Sequence, residues 1–186
     1  MADKTIRGPY GSENGITDAN VGTVASGSSV VEYGDGCFHH SVITVDTVLP
    51  DIAGGVSLAT GTLVYTFPAG ALDVKATYMS IALTQTDGNI TTNTPDIGIG
   101  TTIGVDAVAT LNLGDSSSGE CENMLEGQTA DDCNGTAEVK HLATSLPIAK
   151  TGDHTVYFNS ACAWTASGDD ACGIAGTIII EWTFVE

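Results

Sequence analysis

The sequence predicts an all-β domain, an antiparallel jelly-roll-like sandwich with an extended N-terminal arm and one short helix. Apolar residues recur at every second position in several runs rich in β-branched and aromatic side chains. Stretches of Gly, Pro, Asn and Asp separate those runs, as turns do. Only one short segment carries the signals of a helix, so roughly eight turn-separated strands remain to be packed as a sandwich.

Residues 1–36 are poor in large apolar side chains and rich in Gly, Ser, Asn and Asp, which predicts an extended arm rather than a packed unit. Residues 37–186 form the predicted sandwich domain. In SVITVDTVL, Ile43, Val45 and Leu49 fall on one side and Thr44 and Asp46 on the other. TLVYTF places Leu63, Tyr65 and Phe67 on one face, and DVKATYMSIALTQT is long enough for a bent strand. Residues 105–114 (VDAVATLNLG), AEVKHLAT and HTVYFNSACAW also read as strands. In GTIIIEWTFV, Ile178, Ile180, Trp182 and Phe184 point one way, with Thr177, Glu181 and Thr183 opposite. The helix candidate is ENMLE, with Ser117 and Glu120 as a capping box and Gly127 as its end.

Gly98, Gly100 and Gly104 make a G-x-G-x-x-x-G run, close to a dinucleotide-binding loop. Such a loop needs a following helix, whose N-terminus supplies amide donors to the pyrophosphate. The alternation of residues 105–114 predicts a strand instead, so these glycines are expected where another backbone passes closely or the strand bends.

Charge narrows the function classes. The 186-residue chain holds 5 Lys plus Arg against 23 Asp plus Glu, a formal charge of −18. No basic cluster is present to neutralise phosphates, which argues against nucleic acid, and an anionic membrane surface would repel the chain. No apolar run approaches the ~18 residues of a membrane span. The start, MADKTIRGPYGSENG, lacks the apolar core of a secretory signal, so synthesis in a cytosol is expected.

Several segments in order, PDIGIGTTIGVDAVATLNLG, ENMLEGQTADDCNGTAEV, HTVYFNSACAW and GTIIIEWTFV, resemble a family of virion structural proteins of tailed bacteriophages, associated with marine and cyanobacterial phages. The resemblance spans residues 95–184 and implies a capsid-associated decoration or cement protein, a homotrimer with the major capsid protein as partner, found in the virion after synthesis in the host cytoplasm. It carries no catalytic residues, so the expectation is a non-enzymatic protein without a cofactor. The arm residues Lys4, Arg7 and Tyr10 are the candidate subunit or capsid contacts. The alternative is a fibre or spike module that binds host glycans, against which the low aromatic content of 6% weighs.

Of the five cysteines, Cys162 and Cys172 would face each other across a hairpin turning near Ser167, with Cα atoms roughly 4.5–5.5 Å apart and so within disulfide range. Cys121 and Cys133 bracket the helix candidate and are the second candidate pair. Cys37 is left over, as a buried thiol or an intermolecular link. In GDGCFHH, His39 and His40 point to opposite faces of a strand, while Cys37 and His39 share one. Zinc would need further ligands from His141 or His154, which no spacing supports, so no metal site is assigned. The carboxylates Asp87, Asp96, Asp131, Asp132, Asp169 and Asp170 fall in predicted loops but match no calcium-loop pattern. Neither a G-x-S-x-G elbow nor a readable carboxylate pair points to hydrolysis, and Trp164 and Trp182 read as core.

Overall fold

A computed structural model describes residues 3–7, 21–35, 37–50, 59–85, 90–93, 95–104, 119–129, 134–152, 154–161, 164–166 and 171–185. The strands are β1 (Asp3–Arg7), β2 (Thr23–Val24), β3 (Ser28–Gly34), β4 (Phe38–Val48), β5 (Thr60–Thr66), β6 (Leu72–Gln85), β7 (Ile90–Asn93), β8 (Asp96–Gly100), β9 (Leu125–Thr129), β10 (Asn134–Ile148), β11 (Thr155–Ala161), β12 (Trp164–Ala166) and β13 (Cys172–Phe184). Helix among the described residues is limited to one 3-10 turn, Gly119–Cys121.

The larger sheet runs β3-β4-β13-β6-β10 in antiparallel order, and β1 adds in parallel on the outside of β3. The smaller antiparallel sheet runs β2-β5-β11-β8-β9, and β7 pairs with β12 in a separate ladder. The inner faces meet in one apolar cluster. Ile43, Val45, Met79, Ile81, Ile178 and Ile180 come from the larger sheet, and Val64, Tyr65, Ile97, Ile99, Val156 and Phe158 from the smaller. Each such aliphatic side chain contributes about 1.5–3 kcal/mol by leaving water.

The alternations of β4 and β13 hold: Ile43, Val45, Ile178, Ile180 and Trp182 are buried, while Thr44 and Asp46 are exposed. In β5 the alternation breaks. Tyr65 pairs with Val156 but Leu63 with Tyr157, so Val64 is an extra residue. That bulge buries Val64 beside Tyr65 and leaves Leu63 only half-buried. A second bulge bends β6 at Lys75, between Val74 opposite Trp182 and Ala76 opposite Glu181. It keeps both Leu72 and Thr77 facing inward along one long strand.

The expected helix is replaced by sheet. Met124 and Leu125 are adjacent and both fully buried, a pattern that a helical stripe also allows, so tertiary pairing rather than local pattern decides the segment. The Met124 N–H donates to the Ile99 carbonyl, and Leu125 then enters β9 against β8. Gly127 is therefore mid-strand, and Ser117 lies outside the described residues. The expected arm differs as well. Residues 21–34 contribute β2 to one sheet and β3 to the other, with Val21 and Val30 in the core. Backbone hydrogen bonding to β4 and a few inward apolar side chains suffice to order this polar segment. Lys4 and Arg7 stand on β1, in register with Val30 and Tyr33. Tyr10 lies outside the described residues, as does the strand expected over residues 105–114.

Candidate functional site

One end of the sandwich interior is polar. In β3 and β4 the inward positions that carry Val30, Ile43 and Val45 also carry Glu32, His39 and Ser41. Pairing sets their neighbours: Glu32 lies opposite Ser41, Gly34 opposite His39, and His39 opposite Trp182. The last pairing makes the His39 ring stack on the Trp182 indole, centroids 3.9 Å apart at 14°. Phe184 meets both rings edge-on, and Phe67 packs edge-on against the same indole.

Glu32 and His39 are joined by a 3.0 Å bond between Oε1 and Nδ1, and both side chains are fully buried. A carboxylate oxygen accepts, so the ring nitrogen facing it, Nδ1, is the donor of this bond. Neither Glu32 Oε2 nor His39 Nε2 has a hydrogen-bond partner among the described residues. Leaving such a buried atom unmatched costs about 1–3 kcal/mol. Beside them the Trp182 Nε1–H donates to Ser41 Oγ at 2.8 Å, and the Gly22 N–H donates to the Tyr65 hydroxyl at 3.0 Å. Ser41 Oγ–H points to the same hydroxyl at 3.5 Å. Burial, with the nearby Glu32 charge adding to it, pushes the Tyr65 phenol well above the usual tyrosine range and keeps it neutral. Ser41 is thus engaged by Trp182 and Tyr65, so Glu32, His39 and Ser41 do not form the relay that would activate a serine.

On the outer face of the larger sheet, behind this cluster, a groove of about 370 Å³ runs between Phe38, His40, Lys75, Glu181 and Thr183, and His39 and Trp182 form its floor while their side chains turn to the core. It falls within the roughly 300–1,000 Å³ range of small-molecule sites. Gly34 also lines it and offers no side chain opposite His39. Its φ of +126° suits glycine, and a Cβ there would meet the Phe38 carbonyl. At the tip of the β3–β4 hairpin, Asp35 accepts the N–H groups of Cys37 at 2.8 Å and Phe38 at 2.7 Å. Those two bonds hold the Asp35 carboxyl below the usual aspartate range. They also pin a turn that presents Phe38 at 65% exposure. At the rim, Glu181 lies 3.4 Å from His40, and Lys75 pairs with Asp73.

The other polar centre lies in the smaller sheet. Asn159 is fully buried in β11. Its Oδ1 accepts the Gly104 N–H at 2.7 Å, and its Nδ2 donates to the carbonyls of Thr102 at 3.0 Å and Cys121 at 2.7 Å. This ties the glycine run to the Gly119–Cys121 turn. A Cβ on Gly100 would collide with the backbone of Glu120 and Cys121, the close backbone approach expected of these glycines. The hollow beside Thr101, Glu120 and Asn123 holds only about 210 Å³.

Cys121 is buried, and burial, with Glu122 and Glu120 adding to it, pushes its thiol pKa up. Its candidate partner Cys133 lies outside the described residues, as does Cys162, the candidate partner of buried Cys172. Cys37 is exposed, because it sits at the hairpin tip, so of its two expected roles the buried thiol is ruled out. His39 is buried and His40 half-exposed, so the two do face opposite ways, but Cys37 and His39 are not brought together. No group of three or more metal-ligating side chains occurs among the described residues. Asp96 opens β8, while Asp87, Asp131, Asp132, Asp169 and Asp170 are outside them. Sequence reading missed Glu32, Ser41 and Tyr65 as a cluster. Extending the Ile43 and Val45 alternation backwards gives Ser41 and His39, and that signal was available. No protein-family profile matches the chain, and no curated protein matches it.

Proposed function

We propose that the chain is a virion structural protein that decorates and stabilises the outside of a phage capsid as a trimeric cement subunit, made in the host cytoplasm. The observation that carries the proposal is an apolar row on the outer face of the larger sheet. Val31, Val42, Ile179 and Tyr78 lie side by side across β3, β4, β13 and β6, all half-buried, with Tyr33 at 41% exposure in the neighbouring row. On a chain of charge −18, such a strip favours docking on one preferred surface over dispersal in solvent.

Strand order supports a jelly-roll reading. From β4 onward the chain fills β4-β13-β6-β10 in one sheet and β5-β11-β8-β9 in the other, the interleaving that two Greek keys produce. We assign the arm function to the segment ahead of β2, with Lys4 and Arg7 on the edge strand and Tyr10 as contacts to acidic groups of the major capsid protein.

The test is a gel of purified particles. A band stoichiometric with the capsid protein, stripped by heat and absent after Ile179→Asp, is the expected result. A band at a few copies per particle, or none, overturns the proposal.

A further inference from the structure

We infer that β1 is exchanged between copies of this chain, so that in the assembled protein it makes its parallel ladder with β3 of a neighbouring copy. The inference rests on the trimeric part of the reading above and names a second copy as the partner of the arm's backbone.

Topology sets β1 apart. It is held by one ladder alone, to β3, and every other ladder among the described strands is antiparallel and formed without it. What β1 covers is the open row of β3 backbone N–H and C=O groups. That row accepts an identical strand from another copy in the same register, from Asp3 opposite Ser29 to Arg7 opposite Tyr33, so exchange keeps every hydrogen bond of the ladder.

The link from β1 to the rest of the chain is long for the gap it closes within one copy. Arg7 ends β1 beside Tyr33. The chain is next described at Val21 and Gly22, and the Gly22 N–H donates to the Tyr65 hydroxyl, 3.5 Å from Ser41, which pairs with Glu32 next to Tyr33. The two ends therefore lie at one level of the sandwich, whose sheets pack about 10 Å apart. Residues 8–20 can extend to about 43 Å, at ~3.3 Å each. A link with that much slack lets β1 leave its own β3 and lie on the one beside it.

Charge then favours the neighbour. Residues 3–7 hold Lys4 and Arg7, two of the chain's five cations, against one acid, Asp3. Copies of a −18 chain repel, and a cationic strand laid on the next copy offsets that repulsion at each contact. Paired within its own copy, the strand lowers that copy's charge but bridges nothing. The donated strand and the accepting edge are different surfaces, so three copies passing β1 in one direction close a ring.

The experiment uses the full chain carrying Cys37→Ser, Thr5→Cys and Val31→Cys, the last two being register partners. Paired strands run about 4.8 Å apart, within disulfide range. Sedimentation equilibrium gives the mass, and the oxidised protein is run on a denaturing gel without reductant. The expected result is a trimer mass, with most of the protein in reducible covalent dimers and trimers that the Cys37→Ser parent does not form. Asp3→Cys with Ser29→Cys, at the other end of the ladder, is expected to give the same bands and serves if the first pair fails to fold. A trimer mass with only internal links, at monomer mobility, overturns the exchange and leaves the trimer standing. No link from either pair, or multimers equally abundant in the parent, overturns it as well. A monomer mass overturns the exchange together with the trimer, and capsid decoration is then decided by the particle gel alone.

Discussion

Asn159 and Glu32 are both polar side chains at zero exposure, one in each sheet, yet their surroundings are opposite. Asn159 spends both ends of its amide on three backbone groups. Among the described residues Glu32 has a single side-chain partner, His39, and each keeps an unmatched atom in the interior. A fully matched buried polar group is architecture: it fixes two loops against one strand. A half-matched one leaves buried polar atoms without hydrogen bonds, and so costs stability where the matched one adds it.

Substitutions sharpen this contrast, and the largest effect is expected at the unmatched pair. His39→Phe alone leaves the Glu32 carboxylate buried without its counter-group and should lower stability by about 3–5 kcal/mol in urea unfolding. Adding Glu32→Leu should return the loss or more. If the second substitution restores nothing, the pair is not the coupled unit described above. Asn159→Ala strands one N–H and two carbonyls and should cost about 3 kcal/mol, with no single partner substitution that restores it. Recovery of stability by changing one neighbour would erase the distinction between the two centres.

Tyr65 gives a smaller, pH-dependent effect. Its phenol pKa is raised on folding, so its contribution is present below the ordinary tyrosine value of about 10 and is lost as pH rises beyond it. The wild type should therefore lose stability above that pH more steeply than Tyr65→Phe does, as followed by urea midpoints at increasing pH. Smallest of all is Asp35, whose carboxyl is exposed. Its pKa is lowered from 3.8, so the turn is pinned above that value and released as pH falls through the lowered one. Asp35→Ala should leave the urea midpoint nearly unchanged while the Cys37 and Phe38 amides exchange faster with solvent.

How much of this was legible in the chain depends on how local the cause is. The two-residue period of Ile43 and Val45, and of Ile178, Ile180 and Trp182, reports directly which face is buried. The period fails at Leu63 because a bulge is decided by the partner strand, here the step from Val156 to Tyr157 on β11. The capping pattern before ENMLE lost to tertiary pairing, since β8 offered Leu125 a ladder. The cluster of Glu32, His39 and Trp182 was least legible. It exists only once β3, β4 and β13 are in register, and no local pattern encodes that register.

The placement of β13 between β4 and β6 bears on how the molecule is made. β4 and β6 share no ladder, and each waits for a strand encoded far downstream: Gly173 pairs with Val48 on one side and Thr84 on the other. During synthesis the two earlier strands therefore emerge with their inward edges open, exposed to mispairing with other nascent chains. The sheet cannot close until β13 has been synthesised, and the long sequence separation should make folding slow.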